Sequence, residues 1–481
     1  MPAASAAVCI VACIACATVV HESRGDEVTY RLPDSDVVVS IPGTIRLRRG
    51  MIAVTNGRHG GAYFSRDEVD YVRTRSDRDK IPKLIRDAAA EKDAEALLAA
   101  GGLALKAGRP DWFRQALAAL NQFAPQHTEV ARLTQFVAAY DAAPVWDPAE
   151  LEKATFGANP PNASLDGRRV RLYVVDASPD DASKKLAEDR IALMERVSET
   201  YFFVLALDGV ELSLPDRPLV GVWCAKVVDY DKLRASHGPK FAEATGFYAA
   251  DPGVSVFFDQ STGPRFASIF SLAATLQRDW KQAKAQNHPN IDEIARRAAA
   301  TQLVARVAKE RADVETVAHE SVHQLLALSG LLPADSHPPR SLHEGIATYF
   351  EGYDGADWAG PGALLKERHA RLIELMAQPD CYSLADVLDD GMLVAGAKPG
   401  TLDAYAYAWG ATYFLAQTRP AEFFRYCRSV GKESQRGAIP PGRLRQMLAD
   451  ATGADLASLD AEWRSRMRDL APPLPASADS P

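Results

Sequence analysis

The chain has 481 residues, enough to bury a sizeable core and to form two or more domains. It carries 55 Lys and Arg against 63 Asp and Glu, a net charge of −8, with both signs interspersed and no basic block. That balance argues against a nucleic-acid partner and against electrostatic attachment to anionic lipid.

Residues 3–20 form a long uncharged apolar run and read, within a 1–20 leader, as an export signal, so the mature chain is expected to be periplasmic or extracellular. Ile10-Val11-Ala12-Cys13 resembles a bacterial lipobox, which would leave Cys13 lipidated, whereas Ala15-Cys16-Ala17 offers an ordinary A-x-A cleavage site. The run is also long enough to persist as a membrane anchor. Three of the six cysteines lie in this leader. The remaining Cys224, Cys381 and Cys427 allow at most one bridge, and none has the C-x-x-C spacing of a zinc site.

Residues 26–75 alternate short β-rich runs, Val37–Val39, Ile45–Leu47 and Met51–Val54, with Pro42, Gly43, Gly50 and Asn56-Gly57 turns. They predict a small β-meander, with His59 on its surface. From 80 to 141 the pattern becomes helical, and its helix, Gly108 turn, helix, Pro125 order resembles a tetratricopeptide-type hairpin. One such unit cannot bury its own face, so it is expected to pack on the rest of the chain or to bind a protein partner. Residues 142–167, rich in Pro, Asn, Asp and Gly, read as a linker.

Strands are expected at 169–176, 218–228 and 253–258, with a helix near 180–205, giving an α+β lobe. Two amphipathic helices, 265–286 and 291–311, follow, and Phe266, Phe270 and Trp280 on them read as core. Beyond residue 340 the chain is helical to 469, and the Pro-rich tail 471–481 is too polar to order itself.

The chemistry concentrates in Thr316-Val317-Ala318-His319-Glu320-Ser321-Val322-His323-Gln324-Leu325. Side chains four apart share a helix face, so His319 and His323 can meet on one metal, with Glu320 beside that face as general base. No proline interrupts the run, Val314, Val317, Val322, Leu325 and Leu326 supply an apolar stripe, and Gly330 is placed to end the helix. Glu344 would complete a His2Glu set, with water in the fourth position of one Zn2+. The same residue closes the capping box Ser341-Leu342-His343-Glu344, so its carboxylate has two readings.

The spacing His319-Glu320-x-x-His323, then Glu344-Gly345-Ile346-Ala347, resembles the gluzincin branch of zinc metallopeptidases in its peptidase-MA-like form. Thr245-Gly246-Phe247-Tyr248 with Val254–Phe258, and Tyr405-Ala406-Tyr407-Ala408-Trp409, are similar to flanking segments of that family, Ala408 standing where serine is common. The resemblance implies a zincin-like catalytic domain over 168–470 that hydrolyses peptide bonds, the best match being a bacterial exported subgroup. By resemblance Tyr405 is the oxyanion donor, with Tyr407 as fallback, although either phenol reads equally well as a packed aromatic.

Thr348, one turn after Glu344, is the expected partner of a ligand imidazole, with Glu351 second. His337, His343 and His369 are expected in exposed or supporting roles. Substrate is expected to add to an edge strand at 254–258. The competing class is an exported scaffold with an idle or closed structural zinc site, for which His343 would be the fourth ligand. A metal-dependent hydrolase of non-peptide amides would share every residue named.

Overall fold

The computed structural model describes residues 27–470 apart from 32–37, 49–50, 57, 66–68, 73–77, 143, 145, 157–160, 162, 177–180, 211, 239–243, 355–356 and 390–400. The leader and the 471–481 tail lie outside the described residues. Strands β1 (Glu27–Arg31), β2 (Val38–Pro42), β3 (Thr44–Arg48), β4 (Met51–Asn56), β5 (Gly60–Ser65) and β6 (Val69–Val72) form two antiparallel sheets, ordered β2-β1-β6 and β3-β4-β5. On β4 the residues Ile52, Val54 and Asn56 are buried while Thr55 is exposed, the period-two pattern of a half-buried strand. His59, expected on the surface, is only half exposed. Burial, with Arg58, Arg306 and Lys309 nearby, pushes its pKa down to about 4.

The stretch expected as one hairpin holds four helices, α1 (Ile81–Glu91), α2 (Ala94–Lys106), α3 (Pro110–Phe123) and α4 (Thr128–Asp141). The extra break is local and lacks a glycine: Lys92 takes a φ of 54°, and Asp93 caps α2 by accepting the Ala96 N–H at 3.0 Å. Helix α5 (Pro148–Phe156) and strand β7 (Ala163–Asp166) then occupy the expected linker. They are anchored, because β7 pairs with β8 (Val170–Val175) and Phe156 packs edge-on against Tyr173 at 4.6 Å. Elements this short carry too few residues for periodicity to register.

Helix α6 (Asp181–Leu207) receives the four-helix unit, Phe113 and Tyr140 packing on Phe203 at 5.5 and 5.2 Å between ring centroids. After it come β9 (Leu219–Cys224), α7 (Val227–Ser236), β10 (Gly246–Ala249) and β11 (Val254–Phe258). The sheet order is β10-β11-β9-β8-β7, with β8, β9 and β11 parallel and the two edge strands antiparallel. Strand β11, expected at the edge, is internal; the edge is β10. All five of its residues are buried, as fits a strand covered on both faces.

Helices α8 (Pro264–Ala285) and α9 (Ile291–Leu328) follow. The two helices expected within α9 are one element of 38 residues, about 57 Å long at 1.5 Å per residue. Nothing ends it earlier, since neither glycine nor proline occurs between Ile291 and Leu328. Its first half carries Leu303, Val304 and Val307 under the small sheets, and its second half carries Val317, Val322 and Leu325 into the main core. Gly330, at a φ of 71°, turns the chain away from the helix end.

The C-terminal lobe comprises α10 (Arg340–Tyr349), α11 (Lys366–Met376), α12 (Leu384–Leu388), α13 (Thr401–Thr418), α14 (Pro420–Ser434), α15 (Pro441–Thr452) and α16 (Leu456–Asp469). Trp409, Phe414 and Trp463 are fully buried at its centre, and the Trp463 indole donates to the Gly410 carbonyl at 3.1 Å. The fold is mixed α+β, with small sheets held by helices. No helix among the described residues is long and apolar enough to cross a membrane. Cys224, Cys381 and Cys427 are all free thiols, so the single bridge they allow is not formed.

Candidate metal centre

Two successive helices build the centre. The second half of α9 is packed on the large sheet: the Ser255 hydroxyl donates to the Glu320 carbonyl at 2.9 Å, and the Gln324 amide donates to the Gly253 carbonyl at 2.7 Å. These bonds fix the rotation of α9 about its axis, and hence where its histidines point. Helix α10 starts at Arg340 after Pro339, with no side-chain cap on its first turn. Glu344 is therefore not spent on a capping box and is free to reach α9.

His319 Nε2 and His323 Nε2 lie 2.9 Å apart, and Glu344 Oε2 stands 3.3 and 3.5 Å from them. Ligand bonds of about 2.0–2.1 Å at tetrahedral angles separate neighbouring donor atoms by about 3.3–3.4 Å. The three donors thus already hold nearly the spacing an ion requires, and they form a group able to bind one metal ion. Charge agrees with geometry. Burial alone would raise the Glu344 pKa, but the His323, His319 and His343 rings hold it well below the usual range.

The supporting groups differ from expectation. The Thr348 hydroxyl donates to the Glu344 carbonyl one turn back at 2.7 Å, so it does not serve an imidazole. Glu351 takes that place, its Oε1 lying 2.7 Å from His319 Nδ1. That contact fixes the tautomer that leaves Nε2 for an ion. Arg368 Nη2 in turn binds Glu351 Oε2 at 3.0 Å, and its guanidinium lies over the Tyr405 ring at 5.4 Å. The Tyr405 hydroxyl donates to Glu344 Oε2 at 2.9 Å.

Tyr407 is no substitute for Tyr405. It is buried between Tyr382 and Trp463, and its hydroxyl accepts the Tyr382 N–H at 3.4 Å. His343 stacks on His323 with centroids 4.1 Å apart and planes 12° apart, and it is not among the three convergent donors. His369 is buried in the C-terminal lobe with Nε2 on the Met467 carbonyl at 2.7 Å, a structural role and not an exposed one, while His337 is exposed.

Glu320 stands beside the donors without joining them. Burial pushes its carboxyl up to about 7, with the Glu344 and Glu351 charges adding to the rise and His319 opposing it. Gly246 on β10 is what makes room for it. A Cβ there would sit 3.1 Å from Glu320 Cγ and closer still to Thr316 Cγ2.

Sequence reasoning ranked Glu351 too low and did not single out Arg368. Helical spacing could not have placed Glu351, because α10 ends at Tyr349 and Glu351 is carried to His319 by the turn that follows, its N–H on the Thr348 carbonyl at 3.0 Å. A threonine inside a helix prefers the carbonyl four residues back, which should have removed Thr348. For Arg368, forty-five residues beyond His323, no local spacing could have served.

Residues 313–436 match a family described as "Protein of unknown function (DUF1570)". The matched stretch takes in His319, Glu320, His323, Glu344, Glu351, Arg368 and Tyr405. Among curated proteins and solved structures none matches the chain.

Proposed function

We propose that the chain is a zinc-dependent peptidase of the gluzincin type, with a zincin-like domain formed by the large sheet, α9 and the C-terminal lobe. The observation that carries this reading is the convergence of His319, His323 and Glu344 donors beside a buried carboxylate, Glu320, that none of them uses. A purely structural site has no need of such a neighbour. Two imidazoles and one carboxylate suit zinc, and when bound the ion supplies the Lewis acidity that acidifies a water and polarises a carbonyl.

The remaining work falls to the chain. Glu320 accepts the proton of the attacking water and returns it to the departing amine nitrogen. The Tyr405 hydroxyl, held on Glu344 Oε2 at 2.9 Å, is a donor at the centre that can turn to a developing oxyanion. Substrate backbone adds to β10, the sheet edge that packs over Glu320. If the leader is an export signal, the reaction takes place outside the cytoplasm.

The reading is tested by metal analysis of the purified protein and a broad peptide-library digest. One zinc per chain is expected, with cleavage lost on chelation, restored by zinc, and absent from His323→Ala. A metal-free protein, or cleavage that survives chelation, overturns it; zinc without cleavage supports the scaffold reading or an amide that is not a peptide.

A second outcome concerns the edge strand. Gly246→Ala is expected to destabilise by about 1–3 kcal/mol, because the added methyl must displace Thr316 or Glu320. Turnover should fall further than bound zinc does. Thermal melting alongside a metal assay checks both, and a variant as stable and active as wild type would remove β10 from the account.

A further inference from the structure

The metal ligands are held by a layer of charge, and that layer hangs on one residue that no spacing in the motif indicates. Glu351 is 7 % exposed. A carboxylate so buried is held in place by partners of opposite charge or by hydrogen-bond donors. Besides the His319 ring, its ion-pair partner among the described residues is Arg368, on α11, at 3.0 Å.

Arg311, whose partner Glu315 also interacts with Glu351, is committed elsewhere. Arg311 binds Glu315 Oε1 at 2.7 Å and both Glu367 oxygens at 2.5 and 2.6 Å. Arg368 has a second contact as well, its guanidinium carbon lying over the Tyr405 ring, 5.4 Å from the centroid. It therefore touches two of the groups that touch the donors: Glu351, which holds His319, and Tyr405, which holds Glu344.

We infer that Arg368 is the positioning residue of the metal centre, acting through Glu351 on His319 and through Tyr405 on Glu344. It contacts no donor atom itself. The inference rests on the metal-centre reading proposed above and adds the residue that sets its preorganisation. Arginine suits the place better than lysine, since its guanidinium stays charged and has several N–H groups, so it can bond Glu351 while lying over the Tyr405 ring.

The test uses the full-length chain, stripped of metal, titrated with Zn2+ against a chromophoric chelator and with Co2+ by its visible absorption. Arg368→Met is expected to weaken Zn2+ binding by about 10–100-fold, the range for lost outer-shell partners, and to change the Co2+ spectrum. Arg368→Lys restores the charge and is expected to recover most of the affinity while leaving the spectrum displaced, because the contact over Tyr405 is lost.

Glu351→Gln removes the acceptor through which Arg368 acts on His319. The double variant Glu351→Gln with Arg368→Met should then bind Zn2+ far more tightly than the product of the two single losses requires. Should Arg368→Met not fold, Arg368→Gln, which keeps the length and a hydrogen-bonding end, is read by the same titrations. Wild-type affinity and spectrum in the folded neutral variant, or losses that multiply in the double variant, would overturn the inference. A wild-type chain that takes up no metal instead removes the centre itself, so the two failures are distinguishable.

Discussion

Glu320→Gln is expected to lower turnover of any cleaved peptide by about 10²–10⁴-fold while leaving one metal per chain, the range in which a positioned proton acceptor operates. Glutamine matches glutamate in shape, so neither the fit beside Gly246 nor the Ser255 bond to the residue-320 carbonyl should change. What changes is proton affinity, since an amide oxygen cannot take a proton from water at neutral pH. The contrast with His323→Ala is diagnostic: that variant loses the ion, whereas this one keeps it and loses only the step. Equal turnover by wild type and Glu320→Gln would sink the peptidase reading. A glutamine variant that also lost its metal would mean that Glu320 supports the centre structurally.

How much of this was legible beforehand depends on the range of the interactions involved. The pairing of His319 with His323 is a property of one helix, and helical spacing places both rings on one side with no knowledge of the rest. Glu344 required one more inference, that the chain reverses after Gly330 and brings α10 back across α9. The four-residue segments β7 and β10 were not read as strands, although Gly246-Phe247-Tyr248 was singled out by resemblance, because each is defined by its partner strand and not by its own pattern. The same blindness put the sheet edge at Val254–Phe258. An apolar run of five residues fits a buried internal strand and an edge equally well.

Beneath α9, Arg190 of α6 binds Asp313 at 2.9 Å and lies over Trp223 at 4.8 Å, joining three distant segments. Such long-range charge pairs have no signature in sequence spacing, and Arg368 is the instance that lies beside the candidate metal centre.

Gly345→Ala is the second large effect expected, and its sign is not obvious from the residue types. Alanine is the better helix former by about 1 kcal/mol, so in open space the change would stabilise α10. Here the added Cβ would lie 2.7 Å from the Ala408 carbonyl oxygen and closer still to the Thr412 hydroxyl on α13. The hydroxyl can rotate away; a carbonyl inside a helix cannot. Relief must come from α10 moving off α13, and overpacking of this kind costs about 1–3 kcal/mol, enough to outweigh the propensity gain.

The consequence for the centre is the larger one, because α10 carries Glu344 and α13 carries the Tyr405 that holds it. A displacement approaching 1 Å would spoil a donor triangle whose sides are 2.9, 3.3 and 3.5 Å, so zinc affinity should fall by more than about tenfold. Gly442→Ala is the matched control, since a Cβ at that position on α15 meets nothing within 4 Å. It should leave zinc binding untouched and melt no lower than wild type. If Gly345→Ala instead binds zinc like the wild type and melts higher, the close approach of α10 to α13 does not set the position of Glu344, and the glycine that follows it serves only the local chain.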